Sequence, residues 1–424
     1  MPPPSPRRSI SVGSALPRRV AHFDLDTFFV AVERLGDPSL IGKPVLVGHP
    51  GGRGVVAAAS YEARSYGIHS AMPSTRARRL CPQAVFLKGR YWRYQEVSAA
   101  VFEIFRSVTP LVEGISLDEA FLDVSGARRL LGDGPGIAAE LRRRVLDEQG
   151  LTCSVGVAPR KLTAKLASEA AKPKASPEGP VFGSGVVVVD APDELTFLHA
   201  HPVGALWGVG PATRSRLDRL GVRTIGDLAG LSEEAVVSAL GKAAGTHLHA
   251  LAWARDERAV VPESRPKSVG HEETFATDHY TLETLDRELV RLGDAVATRL
   301  RKAGVAGRTV QIKVRFHDFR TITRAETVPE AIDEAAVLVR VARRLLEGVD
   351  PASGVRLLGL SVSQLSEGAA RQLTFEEVDT PGWTGATQAV DEIRDRFGDA
   401  AIVPATLAGR RPKRRGDTQW GPDE

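Results

Sequence analysis

The stretch Gly114-Ile-Ser-Leu-Asp-Glu-Ala-Phe-Leu-Asp123 sets two adjacent carboxylates, Asp118 and Glu119, between apolar runs: Leu111-Val112 before, and Ala120, Phe121, Leu122 and Val124 after. Gly114 and Ser116 are turn formers, so the segment reads as a tight β-hairpin with acids near its tip. On a straight strand neighbouring side chains point to opposite faces, and the two acids could not share a ligand. At a turn that alternation breaks and both can converge on one cation. Taken alone, an exposed acidic turn fits the same residues.

A second acidic stretch shifts the balance. Arg19-Val-Ala-His-Phe-Asp24 reads as a short buried strand ending in a carboxylate, with Asp26-Thr27 next as a helix N-cap. Asp24 with the Asp118-Glu119 pair makes a three-carboxylate arrangement suited to a divalent metal. Hard cations such as Mg2+ take oxygen ligands and keep positions open for water and phosphate. Two such ions can hold both the attacking and the leaving oxygen of a phosphoryl displacement. Capping accounts for Asp26.

With 424 residues, 42% hydrophobic and 25% charged, the chain can build several cores. Its net charge of only +4 leaves local clustering to carry any nucleic-acid argument. Two cysteines, Cys81 and Cys153, exclude a disulfide framework and a Cys-rich zinc site, and fit a reducing compartment such as the cytoplasm. No apolar run is long enough to span a membrane, and residues 1–19, Pro-containing and basic, read as a disordered leader.

Residues 20–171 alternate strands and helices. Thr27–Leu35 is a helix by the spacing of Phe28, Val32 and Leu35, and Val55–Ser60 is a strand of small residues. Tyr61 and Arg64 stand one helical turn apart, so both can face one ligand; an arginine fork suits phosphate oxygens. A solvated helix face fits that pair equally. Residues 91–108 form an amphipathic helix, and Ile137–Glu148 another, with Leu141, Val145 and Leu146 inward. Leu151–Val157 is a strand and Lys161–Ala171 a helix, in which Lys165 is a phosphate contact or a plain surface lysine. The pattern is an α+β sheet with helices on one face and an insertion.

Four blocks occur here in order: Phe23-Asp-Leu-Asp-Thr-Phe-Phe-Val-Ala-Val-Glu33, Tyr61-Glu-Ala-Arg64, Ser116-Leu-Asp-Glu-Ala-Phe-Leu-Asp123, and Ser154-Val-Gly-Val through Ala164-Lys-Leu-Ala-Ser-Glu-Ala-Ala-Lys-Pro173. Together, over roughly residues 20–375, they resemble the Y-family translesion DNA polymerases of the polymerase IV (DinB) branch. The resemblance implies a multidomain α+β right-hand polymerase. A ferredoxin-like palm would take 20–36 and 91–172, small fingers 37–90, a helical helix-hairpin-helix thumb 173–253, a linker 254–266 and an α/β little finger 267–364, with a tail from 365. It further implies two Mg2+ ions on Asp24, Asp118, Glu119 and the Leu25 carbonyl, and an incoming deoxynucleoside triphosphate held by Tyr61, Arg64 and Lys165. Phe29 matches the steric gate against a 2′-hydroxyl, beside its packing neighbour Phe28. Val55 and Ala57 match small residues over the nascent base pair.

In the expected thumb, Leu206–Leu217 reads as a helix-hairpin-helix whose turn, Gly208-Val-Gly210, lets backbone amides approach a DNA phosphate. Gly241–Gly245 is a candidate second turn. In the expected little finger, Val310, Ile312, Val314 and Phe316 alternate with Gln311, Lys313 and Arg315, giving a basic, acid-poor face suited to a duplex backbone. Arg371-Gln-Leu-Thr-Phe375 resembles the short peptides that dock bacterial polymerases on the sliding clamp through Gln372, Leu373 and Phe375. It lacks the aliphatic residue that commonly precedes the aromatic. Ala389–Phe397 reads as an amphipathic helix with Val390, Ile393 and Phe397 inward.

The expectation is a monomeric, low-fidelity, template-directed polymerase acting on primer-template DNA without proofreading. A nucleotidyl cyclase would want a Gly-Gly acid hairpin and no DNA-gripping thumb. A non-catalytic DNA-binding scaffold would not need three carboxylates and a gate.

Overall fold

The computed structural model describes residues 18–176, 179–263, 265–367, 383–398 and 400–409. They form two compact units, one from residues up to Gly42 with Arg93–Glu263, the other from Lys43–Trp92 with residues beyond 264. Gln372, Leu373 and Phe375 lie outside the described residues. Along the first part of the chain run β1 (Val20–Leu25), α1 (Phe28–Gly36), β2 (Val45–Gly48), β3 (Val56–Ala59), α2 (Tyr61–Arg64), α3 (Ser74–Leu80), β4 (Val85–Leu87) and α4 (Tyr91–Arg106). Then come β5 (Val112–Gly114), β6 (Glu119–Asp123), α5 (Arg128–Leu131), α6 (Gly134–Gln149), β7 (Cys153–Ala158), α7 (Lys161–Ala171) and β8 (Val186–Val188).

The first unit is organised on a five-stranded sheet in the order β5-β6-β1-β7-β8. Every residue of β1 is buried, because the strand sits at the centre with β6 and β7 antiparallel on either side. Its side chains alternate. The Phe23 ring packs on Phe105 of α4, centroids 4.7 Å apart, while His22 turns the other way to bond Ser168 of α7. Val157 of β7 meets Gly134 at the start of α6. Helices therefore cover both faces, α4 and α6 on one and α7 on the other, and not one face as the sequence suggests. The reason is Gly156. A Cβ there would strike Ala164 O and Ser168 N, so only glycine lets α7 lie flush on β7.

Other expectations are corrected in detail. Leu35 and Leu146 are exposed, and α1 buries Val30 and Val32 instead. The N-cap of α1 is Thr27, left-handed at φ 46° and without a side-chain cap bond, whereas the Asp26 carboxylate accepts from Ser154 Oγ at 2.8 Å. Arg18 and Arg19, expected in the leader, are engaged: Arg18 donates to Arg258 O at 2.6 Å, and Arg19 N to Ser125 Oγ at 2.8 Å.

A helical layer follows: α8 (Glu194–His199), α9 (Pro211–Asp218), α10 (Ile225–Ala229), α11 (Glu233–Leu240) and α12 (Lys242–Ala252). Its core of Leu198, Leu217, Ile225, Leu228, Val236, Leu248 and Leu251 also takes Leu162 and Leu166 from α7. The expected boundary at 173 is thus blurred twice, since β8 beyond it extends the central sheet. The expected linker is partly structural as well. Asp256 is buried and accepts from Leu162 N at 3.0 Å, satisfying an amide at the start of α7 that Arg160 does not cap.

In the second unit, β3-β2-β4 form a small sheet over a core of Leu46, Val56, Ile68, Met72 and Cys81. Ser60 caps α2, its Oγ accepting from Ala63 N at 3.2 Å and Val45 N at 3.0 Å, which fixes Tyr61 and Arg64 against the sheet. The unit continues with β9 (Ser268–His279), α13 (Leu282–Lys302), β10 (Val305–Phe316), β11 (Thr321–Ile332), α14 (Ala335–Glu347) and β12 (Val355–Glu367), the strands antiparallel in the order β11-β10-β12-β9. Val310, Ile312, Val314 and Phe316 enter the core with Leu289, Leu292 and Leu338 of the helices, as their alternation predicts. A final helix, α15 (Trp383–Phe397), departs from its predicted face. Phe397 is 67% exposed and Ile393 37%, while Arg394 is buried at 5% and pairs with Asp294 at 3.0 Å. Asp391 takes Arg301 in a bidentate pair at 2.6 and 2.8 Å. Ion pairs, and not an apolar stripe, seat this helix.

Candidate active site

Asp24 near the end of β1 lies directly opposite Glu119 at the start of β6, the two forming a register pair on neighbouring strands. The hairpin that brings Glu119 there is built by Ser116. Its Oγ accepts from Asp118 N at 3.3 Å and Glu119 N at 3.0 Å and contacts Asp118 Oδ1 at 2.6 Å. Ser98 of α4 donates to Leu117 O at 2.6 Å, and Leu25 N to Asp118 O at 2.9 Å, so the turn is held from both sides. The strand-end aspartate and hairpin acids expected from sequence are thus neighbours, and Leu25 is buried beside them.

Three lysines face this carboxylate cluster or its surroundings. Lys165 Nζ meets Glu119 Oε2 at 2.7 Å, and Lys172 Nζ meets Asp24 Oδ2 at 2.6 Å and Glu169 Oε1 at 2.7 Å. Lys161 is tied to Glu113 at 2.6 and 2.7 Å and lies over the Phe121 ring. Burial pushes the Asp24 carboxyl up, to about 8, against the pull of the Lys172 ammonium. Burial also raises Asp118, with the Glu119 charge adding to it. Glu119 comes out below its ordinary value: burial acts upward, but the Lys165 bond and charge outweigh it.

Among the described residues, oxygens of Asp24, Glu119 and Glu169 approach within 4.8 Å of one another, while the Asp118 carboxylate stands outside that group, held to Ser116. An all-oxygen, partly buried donor set fits a hard divalent cation. Glu169 and Lys172 were missed by sequence reasoning, although both lie in the quoted 164–173 block. Spacing was the available signal: 165, 169 and 172 fall on one face of a helix.

Phe29, half-buried, stacks on Tyr94 of α4, and Phe28 sits in the core beneath the pair. Tyr61 and Arg64 belong to the second unit, with the guanidinium 5.1 Å from the Tyr61 ring centroid; both lie on one face of α2 as their spacing predicts. Val55 and Ala57 are half-buried, alternating with buried Val56 and Ala58.

Gly208, at φ 100°, and Gly210, the N-cap of α9, form an exposed turn. The arm before it is a single 3-10 turn, Val203–Ala205. At the other candidate turn, Gly241 joins α11 to α12 with φ 87°, whereas Gly245 lies inside α12 against Val237. On the outer face of the four-stranded sheet, Lys313 pairs with Glu272 at 2.8 Å, and Arg315 donates to Thr321 Oγ1 at 2.9 Å. The acid-poor face read from β10 thus gains an acid from β9, because β12 places residue 272 in the same row as Lys313.

The sequence matches the impB/mucB/samB family over residues 23–169 and that family's C-terminal domain over residues 266–375. The chain is 44% identical over 392 residues to a DNA polymerase IV of Desulfatibacillum aliphaticivorans, covering 92% of this chain and 96% of the relative. The chain belongs to the Y-family DNA polymerases, on the polymerase IV branch. It is 45% identical to polymerases IV of Streptomyces coelicolor (82% of this chain, 71% of the relative) and Alkalilimnicola ehrlichii (84% and 99%). In fold it is similar to a Dbh–Dpo4 Y-family polymerase chimera, with TM-score 0.73 at 24% identity over 82% of this chain and 100% of that one. It is also similar to a Dbh polymerase solved as an insertion ternary complex, with TM-score 0.59 at 24% identity over 81% and 98%. This Y-family chain is a DNA-directed DNA polymerase of the translesion class and uses divalent metal. No described helix is long and apolar enough to cross a membrane.

Proposed function

We propose that Asp24, Asp118, Glu119 and the Leu25 carbonyl hold two Mg2+ ions, the reading carried by the register pairing of Asp24 with Glu119. When bound, the ions would lower the charge barrier to attack of the primer 3′-hydroxyl on the α-phosphorus and to departure of pyrophosphate. Lys165 and Lys172 would neutralise and orient the triphosphate, with Tyr61 and Arg64 from the second unit. Each lysine already bonds a carboxylate of the site and can exchange it for phosphate oxygen. Phe29 would exclude a ribose 2′-hydroxyl, with Phe28 packing behind it. The turn at Gly208 and Gly210 would bind a DNA phosphate, and Lys313 and Arg315 the duplex backbone. Gln372, Leu373 and Phe375 would dock the sliding clamp, and the enzyme would act as a monomer in the cytoplasm.

Primer extension with Mg2+ and the four deoxynucleotides tests the carboxylates: Asp118→Ala and Glu119→Ala should abolish it while melting and DNA binding persist. Extension at the wild-type rate by either variant overturns the metal assignment. Alanine at Gln372, Leu373 and Phe375 should remove clamp stimulation and leave clamp-free synthesis unchanged.

A further inference from the structure

His22 stands two residues before Asp24 on the same face of β1 and is fully buried. Its Nδ1 lies 2.7 Å from Ser168 Oγ, and that hydroxyl gives its own hydrogen to Lys165 O at 2.8 Å. The hydroxyl has one hydrogen, so it accepts from His22, and the proton sits on Nδ1. The ring is fully buried, and Lys165 already occupies the one carboxylate oxygen Nε2 faces. At 3.9 Å that oxygen is beyond hydrogen-bond reach, so nothing there holds a second proton on the ring. Nε2 is therefore a bare acceptor. It is buried, makes no hydrogen bond and points at the Glu119 carboxylate, 3.9 Å from Oε2. The same oxygen takes Lys165 Nζ at 2.7 Å. Phe121, its centroid 4.7 Å away, packs against the ring.

An acceptor buried without a donor is costly, and the ammonium nearest by chemistry is Lys165, which shares its carboxylate oxygen. We propose that His22 is a positioning residue of the polymerase site: Nδ1 locks α7 through Ser168, and Nε2 receives the Lys165 ammonium when Glu119 turns its oxygen to a divalent cation. The proposal rests on Glu119 as a metal ligand. One carboxylate oxygen cannot hold an ammonium and a metal ion at full strength together. With His22 the ammonium keeps an acceptor as it leaves, and its remaining two N–H groups stay free for phosphate. The lock matters to both lysines, because Ser168 lies between Lys165 on α7 and Lys172 at its C-cap.

The experiment measures Mn2+ binding to the full chain by electron paramagnetic resonance, without turnover. His22→Asn keeps an amide near Nδ1 and removes the acceptor at Nε2, and it should weaken Mn2+ binding roughly tenfold, the usual scale for a lost outer-shell partner of a metal ligand. Lys165→Met should tighten binding, and adding His22→Asn to it should change nothing further. Wild-type Mn2+ affinity in His22→Asn, or an undiminished loss in the Lys165→Met background, overturns the proposal. Should His22→Asn not fold, 15N NMR of the wild-type ring decides: a proton on Nε2 overturns the proposal, and one on Nδ1 supports it. Glu119→Gln separates the two readings. Binding that survives it overturns the metal assignment and this proposal together, whereas binding lost in Glu119→Gln but indifferent to His22 overturns this proposal alone.

Discussion

The Phe29 and Tyr94 rings lie stacked, centroids 4.2 Å apart and planes 11° apart. The Tyr94 hydroxyl donates to Glu33 Oε1 at 2.6 Å, so the platform under Phe29 is pinned to the helix that carries it. A gate that excludes by contact needs such a brace, since a ring free to rotate would make room. Phe29→Ala is expected to raise ribonucleotide use relative to deoxynucleotide use on the order of a hundredfold, the loss of a few kcal/mol of steric clash. Tyr94→Ala should give a smaller rise, roughly tenfold, with Phe29 still present. Steady-state kcat/KM for the two nucleotide types checks both; an unchanged ratio in Phe29→Ala would make the ring a core residue.

Asp24 gives the metal-free chain a distinctive pH response. Burial raises its carboxyl to about 8, while in the unfolded chain it titrates near 3.8. The folded state therefore binds this proton more tightly. Its contribution to stability is fully present below about 4 and is lost as pH rises through about 8. In chelator, the difference in melting temperature between Asp24→Asn and wild type should shift in favour of the variant across that window. A constant difference would mean that Asp24 titrates as an ordinary surface acid. Because the variant removes a proposed ligand, it should also lose extension at every pH.

These two sites differ in how far the sequence disclosed them. Asp24, Asp118 and Glu119 were legible because a strand end and a hairpin tip are local features, marked by apolar runs and by Gly114 and Ser116. Tyr94 and His22 were not, since each depends on a partner far away in sequence, Phe29 and Glu33 of α1 for Tyr94 and Ser168 of α7 for His22. Lys172 was hidden at a helix end, where a basic residue ordinarily needs no further reason. The same limit explains α15. Its apolar spacing suggested an inward Ile393 and Phe397, but Asp294 and Arg301 on α13 decided the contact by charge. Lys313 was legible in its strand, whereas its partner Glu272 came from a strand paired through β12.

Gly156 carries the placement of α7, and with it Lys165, Ser168, Glu169 and Lys172. Gly156→Ala is expected to destabilise the chain by about 1–3 kcal/mol through overpacking, because the groups it would strike are helix backbone and cannot swing aside. Extension should fall more than stability alone explains, and the loss should persist at temperatures where the variant is fully folded. Denaturant unfolding beside single-turnover rates tests this. A variant that is destabilised yet extends normally once folded would uncouple the seating of α7 from the site.

The Lys313–Glu272 pair makes the outer sheet face less cationic than its central strand implies. A surface pair at 2.8 Å adds little to stability, but it holds one of the two proposed duplex contacts against an acid. Glu272→Gln should leave melting nearly unchanged and tighten binding to primer-template duplex, by about two- to fivefold at low salt, as the freed ammonium turns to phosphate. Arg315→Ala should weaken binding uniformly across DNA sequences and lower the salt slope by about one, since a phosphate contact carries no base information. The two effects should combine additively if Lys313 and Arg315 act on separate phosphates. Affinity indifferent to both changes, measured by fluorescence anisotropy over a salt series, would move the duplex contact away from this face of the sheet.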